Sequence, residues 1–223
     1  MAEVDSSWGQ VIFPSVETKG KSILLIGGGP STSEYNRWQE IETDYKLVTS
    51  EGYLNEIIRK TIVDFYIINT RVDLTCNEFK EWYEINKDVR FVLEPKHLWK
   101  HPTGIELLSG RDDLCSIDIY KDYKVGMLPR VVIACILLGF SDIYVVGMDG
   151  FKKDGGGKHA FNGTSLKTLP NAALNTYQQY RDKFEIFVKD YKDIISTEKY
   201  SNSRLHNLGY GHDANILTEF GIK

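Results

Sequence analysis

Ser22-Ile-Leu-Leu-Ile-Gly-Gly-Gly-Pro-Ser-Thr-Ser-Glu34 decides the fold. A run of apolar, partly β-branched residues breaks abruptly into three glycines and a proline, the signature of a strand that ends in a turn. Ser31 and Glu34 follow in the Ser-x-x-Glu pattern, in which each side chain satisfies the other residue's backbone N–H at a helix start. The spacing therefore predicts strand, glycine turn and a helix over 31–41. Further strands are expected at 46–49, 64–69, 90–94, 143–146 and 193–196. Several of these runs are apolar throughout, as strands covered on both faces must be. Between them, 78–86, 129–138 and 175–191 have helical character. The second is almost wholly apolar and stops at Gly139, and the third spaces Tyr177, Tyr180, Phe184, Phe187 and Tyr191 by three or four along one helix face. That stripe reads as core packing. Alternation of strands and helices predicts an α/β fold: a doubly wound, mostly parallel, Rossmann-like sheet with helices on both faces.

At 223 residues and 42% hydrophobic content, the chain is expected to bury about 70% of its unfolded surface without a disulfide or metal staple. One domain over 1–223 is expected, with an extended N-terminal segment at 1–20. The stretch Lys152-Lys-Asp-Gly-Gly-Gly-Lys-His-Ala-Phe-Asn-Gly-Thr-Ser-Leu-Lys-Thr-Leu-Pro170 has no apolar period and reads as a mobile, lid-like loop. Cys76, Cys115 and Cys135 are odd in number and form no CxxC pair, which argues for reduced thiols over a disulfide framework or zinc knuckle. No apolar run approaches the ~20 residues of a membrane span, and the N-terminus is not a signal peptide, so a cytoplasmic location is expected. A formal net charge of -4 disfavours broad electrostatic attraction to nucleic acid.

Three glycines exceed what a plain turn requires, and they let a ligand approach the backbone beside the N–H groups of a helix start. A phosphate-bearing ligand is the expected guest. Glu51 lies where a dinucleotide site would place its ribose-binding acid, but Thr32 and Glu34 stand where the third fingerprint glycine belongs. No Walker lysine follows the glycines. A second unit, Gly126-Met-Leu-Pro-Arg-Val-Val-Ile-Ala-Cys-Ile-Leu-Leu-Gly-Phe-Ser-Asp-Ile-Tyr-Val-Val-Gly-Met-Asp-Gly150, reads as a turn, a buried helix and a strand. Its strand delivers Asp149 to a carboxyl end, where open α/β sheets bind ligands. A loop-capping aspartate is the plainer alternative there. His97 and His101 have helical metal-ligand spacing but adjoin Pro102 and lack a third ligand, and no metal site is expected. His206 and His212 flank a Gly209-Tyr-Gly211 turn and are read as structural.

Gly-Gly-Gly-Pro-Ser at 27–31, the 126–151 unit and His159-Ala-Phe161 together resemble the bacterial sialyltransferases that use CMP-activated sugars. The same order resembles the motility accessory factors and archaeal hydroxymethylpterin diphosphokinases of that clan. The likeness runs from about Ser22 onward, with Leu205-His-Asn-Leu208 similar to the clan's last core strand. It implies a glycosyltransferase moving a sugar from a nucleotide donor, CMP- or other pyrimidine-linked, to an acceptor hydroxyl with no obligatory metal. Gly27, Gly28, Gly29, Pro30 and Ser31 would line the nucleotide site, with Ser50, Glu51, Asn69 and Thr70 at neighbouring strand ends. Gly126, Met127 and Leu128 fall where the family has a Thr-Ser-Gly contact to the nucleotide. Phe151 and His159 fall near the family's phosphate-binding tyrosines, and Ala172 or Ala173 near its general-base histidine. His159 and Asp149 are then the candidates to take the acceptor proton. The acceptor would be a saccharide, with a modified nucleic-acid base left open, and a homo-oligomer is possible. The alternatives are a Mg-ATP-dependent diphosphokinase of the hydroxymethylpterin type and a non-catalytic nucleotide-binding module.

Overall fold

The computed structural model describes residues 2–49, 51–68, 72–94, 108–121, 123, 125–149, 177–213 and 215–223. Among these residues nine strands form one sheet: β1 (Ala2–Ser6), β2 (Gly9–Phe13), β3 (Ser22–Ile26), β4 (Tyr45–Thr49), β5 (Phe65–Ile68), β6 (Arg90–Leu93), β7 (Cys115–Ile119), β8 (Asp142–Val146) and β9 (Arg204–Asn207). Their order is β1-β2-β7-β6-β5-β4-β3-β8-β9. From β7 through β9 every pairing is parallel, while β1 and β2 add antiparallel strands at one edge. The chain steps outward from β3 to β7, then returns to lay β8 and β9 on the other side of β3. The sheet is doubly wound, and its direction of winding reverses between β3 and β8.

Alternate residues of each central strand feed two cores. Ile23, Leu25, Leu47, Phe65, Ile67, Ile143 and Val145 face one layer, whereas Leu24, Ile26, Val48, Tyr66, Ile68 and Val146 face the other. The first layer is covered by α4 (Leu128–Leu138) and α5 (Tyr177–Ile195), the second by α2 (Glu56–Arg59), α3 (Asn77–Ile85) and Trp38, which follows the short polar helix α1 (Ser31–Glu34). A last short helix, α6 (Ile216–Glu219), adds Ile216 and Leu217 to the first core. Every residue of α4 is buried, including Arg130, and the helix ends where Gly139 adopts φ +85° and returns its N–H to Cys135 O and Ile136 O. In α5, Tyr180, Phe184, Phe187 and Tyr191 are buried, so the aromatic stripe is core.

Three expectations are corrected. The strand expected at 193–196 is the last turn of α5, because Ile194 continues the stripe from Tyr191 and is 1% exposed. The helix expected over 31–41 lasts a single turn and gives way to a 3-10 turn at Asn36–Glu40. Trp38 decides this: its ring is buried in the second core while its Nε1–H donates to Thr32 O at 2.8 Å. The expected Ser31–Glu34 capping pair also does not form, and α1 has no side-chain cap. The N-terminal segment contributes β1 and β2, strands that its sequence did not announce. The loop at 152–170 and the His97–His101 pair lie outside the described residues.

Candidate functional site

Ile26 of β3 pairs with Val146 of β8, so the residues that follow, Gly27 and Gly147, leave the sheet side by side at the point where its winding reverses. In open α/β sheets this crevice at the carboxyl ends is where ligands bind. Gly27 N donates to Val146 O at 2.9 Å and Gly29 N to Gly147 O at 3.0 Å, lacing the two loops together. The contact is too close for side chains. A Cβ on Gly27 would meet Leu128 Cδ1 and lie 2.7 Å from Gly147 O; one on Gly29 would lie 2.7 Å from Asp149 Cβ; one on Gly147 would lie 2.6 Å from Gly27 O. Close loop packing thus explains Gly27 and Gly29, while Gly28, Gly29 and Pro30 keep part of their surface open.

Asp149 is the hub of this junction. Its Oδ2 accepts the Ser31 N–H at 2.7 Å and its Oδ1 accepts the Asn215 side-chain amide at 3.0 Å. Enclosure by protein pushes its carboxyl above the usual carboxylate range, an effect opposed by the Ser31 hydrogen bonds, nearby His212 and Asn215. Ser31 Oγ, freed from capping, accepts the Gly147 N–H at 2.9 Å. Thr32 Oγ1 donates to Gly27 O at 2.7 Å, which gives the residue at the third fingerprint position a role of its own. The expected open N–H groups at the start of α1 are therefore occupied: Ser31 by Asp149, Thr32 by Gly29 O, Ser33 and Glu34 by Pro30 O. A ligand at this loop meets the surface of Gly28–Pro30, not the amides of α1.

Two further segments close around the hub. Tyr180 of α5 directs its hydroxyl at Asp149 O, 3.2 Å away, and at Val125 O, 3.3 Å away, joining the 125–128 turn to the loop after β8. The stretch after β9 lies across α1: His212 Nε2 is 2.7 Å from Glu34 Oε2, and the Tyr35 ring meets the His212 ring edge-on with centroids 5.2 Å apart. Beside the turn that opens α4, Arg130 holds Glu94 at the carboxyl end of β6, with Nε to Oε1 at 2.7 Å and Nη2 to Oε2 at 3.2 Å. These side chains are 9% and 4% exposed. Among the described residues no group of three or more His, Cys, Asp or Glu side chains is gathered to hold a metal ion, and no helix is long and apolar enough to cross a membrane. A cavity of about 300 Å³ lined by Tyr45, Asp64, Phe65, Asn86 and Arg90 lies at the opposite, amino ends of β4–β6.

No protein-family model matches the chain, and no curated protein matches it. Solved structures do. The sialyltransferase CstII from Campylobacter jejuni in complex with a substrate analogue, CMP-3FNeuAc, aligns with a TM-score of 0.50 at 15% identity over 91% of this chain and 84% of that one. The sialyltransferase CST-II in complex with trisaccharide acceptor and CMP aligns with a TM-score of 0.51 at 16% identity over 90% and 84%. The fold is sialyltransferase-like. On this sialyltransferase-like sheet, Gly27, Gly28, Gly29, Pro30 and Ser31, the Gly126–Leu128 turn and Asp149 converge on one place, the last two segments touching the glycine loop through Leu128 and through Asp149 itself. Glu51 stands at the carboxyl end of β4, the neighbour of β3, and Asn55 just beyond it donates to Ser33 Oγ at 2.9 Å. Ser50, Asn69, Thr70 and His159 lie outside the described residues. The sequence reading passed over Asn215, Tyr180, Glu94 and Arg130. Tyr180 was visible as one ring of the α5 stripe, but nothing local in the sequence ties Asn215 to Asp149 or Glu94 to Arg130.

Proposed function

We propose that the protein is a glycosyltransferase that moves a sugar from a nucleotide donor to an acceptor hydroxyl, with the nucleotide seated at the junction of the loops after β3 and β8. The carrying observation is the convergence of the 27–31, 126–128 and 147–149 segments at the winding reversal of a sialyltransferase-like sheet. A CMP- or other pyrimidine-linked sugar is the proposed donor and a saccharide the proposed acceptor, in keeping with CMP and a trisaccharide acceptor in complexes of the structural neighbour. No metal is assigned an obligatory part. Gly28, Gly29 and Pro30 offer a side-chain-poor surface against which a nucleotide can lie close to the backbone, with Glu51, Ser50, Asn69 and Thr70 proposed at the adjoining strand ends and Gly126–Leu128 as the facing wall.

Proton transfer from the acceptor hydroxyl needs a base whose affinity for a proton suits neutral pH. Asp149 is one proposed acceptor of that proton: burial raises its carboxyl, and a carboxylate offers about four acceptor positions, more than the Ser31 and Asn215 hydrogen bonds take up. His159, from the basic glycine-rich segment, is the other, and Lys152, Lys153 or Lys158 would neutralise the departing phosphate.

Thermal melts with CMP, UDP, GDP, dTDP, ATP, NAD and their sugar derivatives, each with and without Mg2+, test the reading. A ligand at a hundred times its Kd adds about 2.7 kcal/mol to the folded state, which in a chain of this size raises Tm by roughly 5–11 °C. A Mg2+-independent rise with one pyrimidine nucleotide and its sugar is the expected result. A rise with ATP and Mg2+ alone would replace the transferase by a diphosphokinase, and no rise with any of them would remove the nucleotide site.

A further inference from the structure

We infer that Asn215 is a positioning residue of this site, one that holds the Asp149 carboxylate against the glycine loop and makes the stretch after β9 an integral part of the nucleotide site. Asn215 is 3% exposed, and its amide divides its two ends between two tasks. The oxygen is turned inward: it caps α6 by accepting Thr218 N at 3.2 Å and also accepts the Asn207 side-chain amide at 2.9 Å. With the oxygen fixed from two sides, the Nδ2 group has one orientation left, and it points at Asp149 Oδ1, 3.0 Å away. Asp149 Oδ2 is thereby set on the Ser31 N–H. Gly209 is pressed into the same corner, where an added Cβ would meet Asn215 Nδ2 and lie 2.9 Å from Ser31 Oγ. Asn207 is itself held by the carbonyl of Ile222 at 2.9 Å, so the chain from β9 to α6 is anchored before it reaches Asp149. The titratable groups around the contact are His212 and its partner Glu34 on α1, and Tyr180 of α5, whose hydroxyl touches the Asp149 carbonyl.

Asn215→Asp separates positioning from capping. Aspartate caps a helix as well as asparagine does, so α6 keeps its N-cap, but the donor to Asp149 becomes a carboxylate. Two carboxylates at that distance cannot both ionise, and one of them binds a proton far more tightly than usual. The inference rests on the proposed nucleotide site only for its binding readout. CMP affinity of N215D is expected to fall at least tenfold at pH 8 and to return to within threefold of the unaltered protein at pH 5.5. Its thermal midpoint should lag in the same way, by several degrees at pH 8 and little at pH 5.5. The double variant D149N/N215D, in which donor and acceptor trade places, should restore the pH 8 midpoint. Asn215→Ser, which keeps a capping oxygen but is too short to reach Asp149, should weaken CMP binding equally at both pH values. If N215D and N215S bind CMP and melt as the unaltered protein does at both pH values, Asn215 does not position Asp149 and the inference is overturned. If the unaltered protein binds no nucleotide, the proposed function fails by itself. The pH dependence of the N215D midpoint then still decides the contact: present, it supports the Asn215–Asp149 coupling, and absent, it refutes it.

Discussion

Replacing Arg130 by methionine should be the most damaging single change near the site. The guanidinium meets Glu94 through two hydrogen bonds of 2.7 and 3.2 Å, and the two side chains are 9% and 4% exposed, so the pair is held out of water. Methionine fills much of the arginine's volume but leaves a buried carboxylate without its cation, a loss of about 3–5 kcal/mol. For a chain of this length that lowers Tm by roughly 6–20 °C. Removing both charges in E94L/R130M takes the desolvation cost away with the attraction, and such replacements are neutral or stabilising by about 1–4 kcal/mol. Urea unfolding followed by circular dichroism at pH 7 gives both free energies from one set of curves. The reasoning requires a large loss in the single variant and its recovery in the double. A double variant as unstable as R130M would refute it, and would mean that Arg130 acts through packing or through other contacts at the start of α4.

Gly147→Ala forces a side chain into a residue with φ +72° and against Gly27 O at 2.6 Å; left-handed backbone costs about 1–2 kcal/mol and overpacking about 1–3 kcal/mol, so urea midpoints should report a loss within about 2–5 kcal/mol, and a change below about 0.5 kcal/mol would contradict the loop packing described above. Tyr180→Phe removes the hydroxyl shared by Val125 O and Asp149 O and should cost about 0.5–1.5 kcal/mol, read by the same unfolding curves, with a larger proportional effect on CMP affinity than on stability. The Asp44 carboxyl is held down at about 2 by the Ser22 N–H and hydroxyl, with Lys21 adding to the effect. A lowered folded pKa means that the ionised form is favoured by folding, so this contribution is fully present above the ordinary value of 3.8 and is lost as pH falls through about 2. The difference in Tm between the unaltered protein and D44N should hold steady above pH 5 and shrink between pH 4 and 2; a difference that stays constant down to pH 2 would show that Asp44 does not titrate in this way.

The parallel centre of the sheet was legible because strands buried on both faces must be apolar at every position. Ser22–Ile26 matches its expected bounds, and Phe65–Ile68 and Arg90–Leu93 lie within theirs. The edge was not legible. Cys115–Ile119 and Gly9–Phe13 bury only alternate residues, and an alternation of five residues carrying Asp118 or Gln10 on its open face is easily lost among loops. Around the candidate site, local structure written in contiguous residues was readable: the glycine turn after β3, the strand that delivers Asp149 and the turn before α4. What could not be read is pairing across the fold. Ser31 looks like a cap for α1 until Gly147 arrives beside it, and Asn215 looks like a plain cap for α6 until Asp149 takes the other end of its amide. In both cases the deciding partner comes from the loop after β8, more than 60 residues away in sequence.

The clasp between residues after β9 and the glycine loop also sets an order of events during synthesis. The loop after β3 is made early and its fastener late. At about 5–20 residues per second, the stretch from Ser31 to Asn215 takes on the order of 10–40 s to translate. Asp149 follows Ser31 by 118 residues, but throughout the interval the nascent chain carries β3 and its glycines with no Asn215 or His212 to hold them. A chain halted before residue 204 would hold β3, β8 and Asp149 but neither Asn215 nor His212, and the candidate site would be completed only when the stretch after β9 docks.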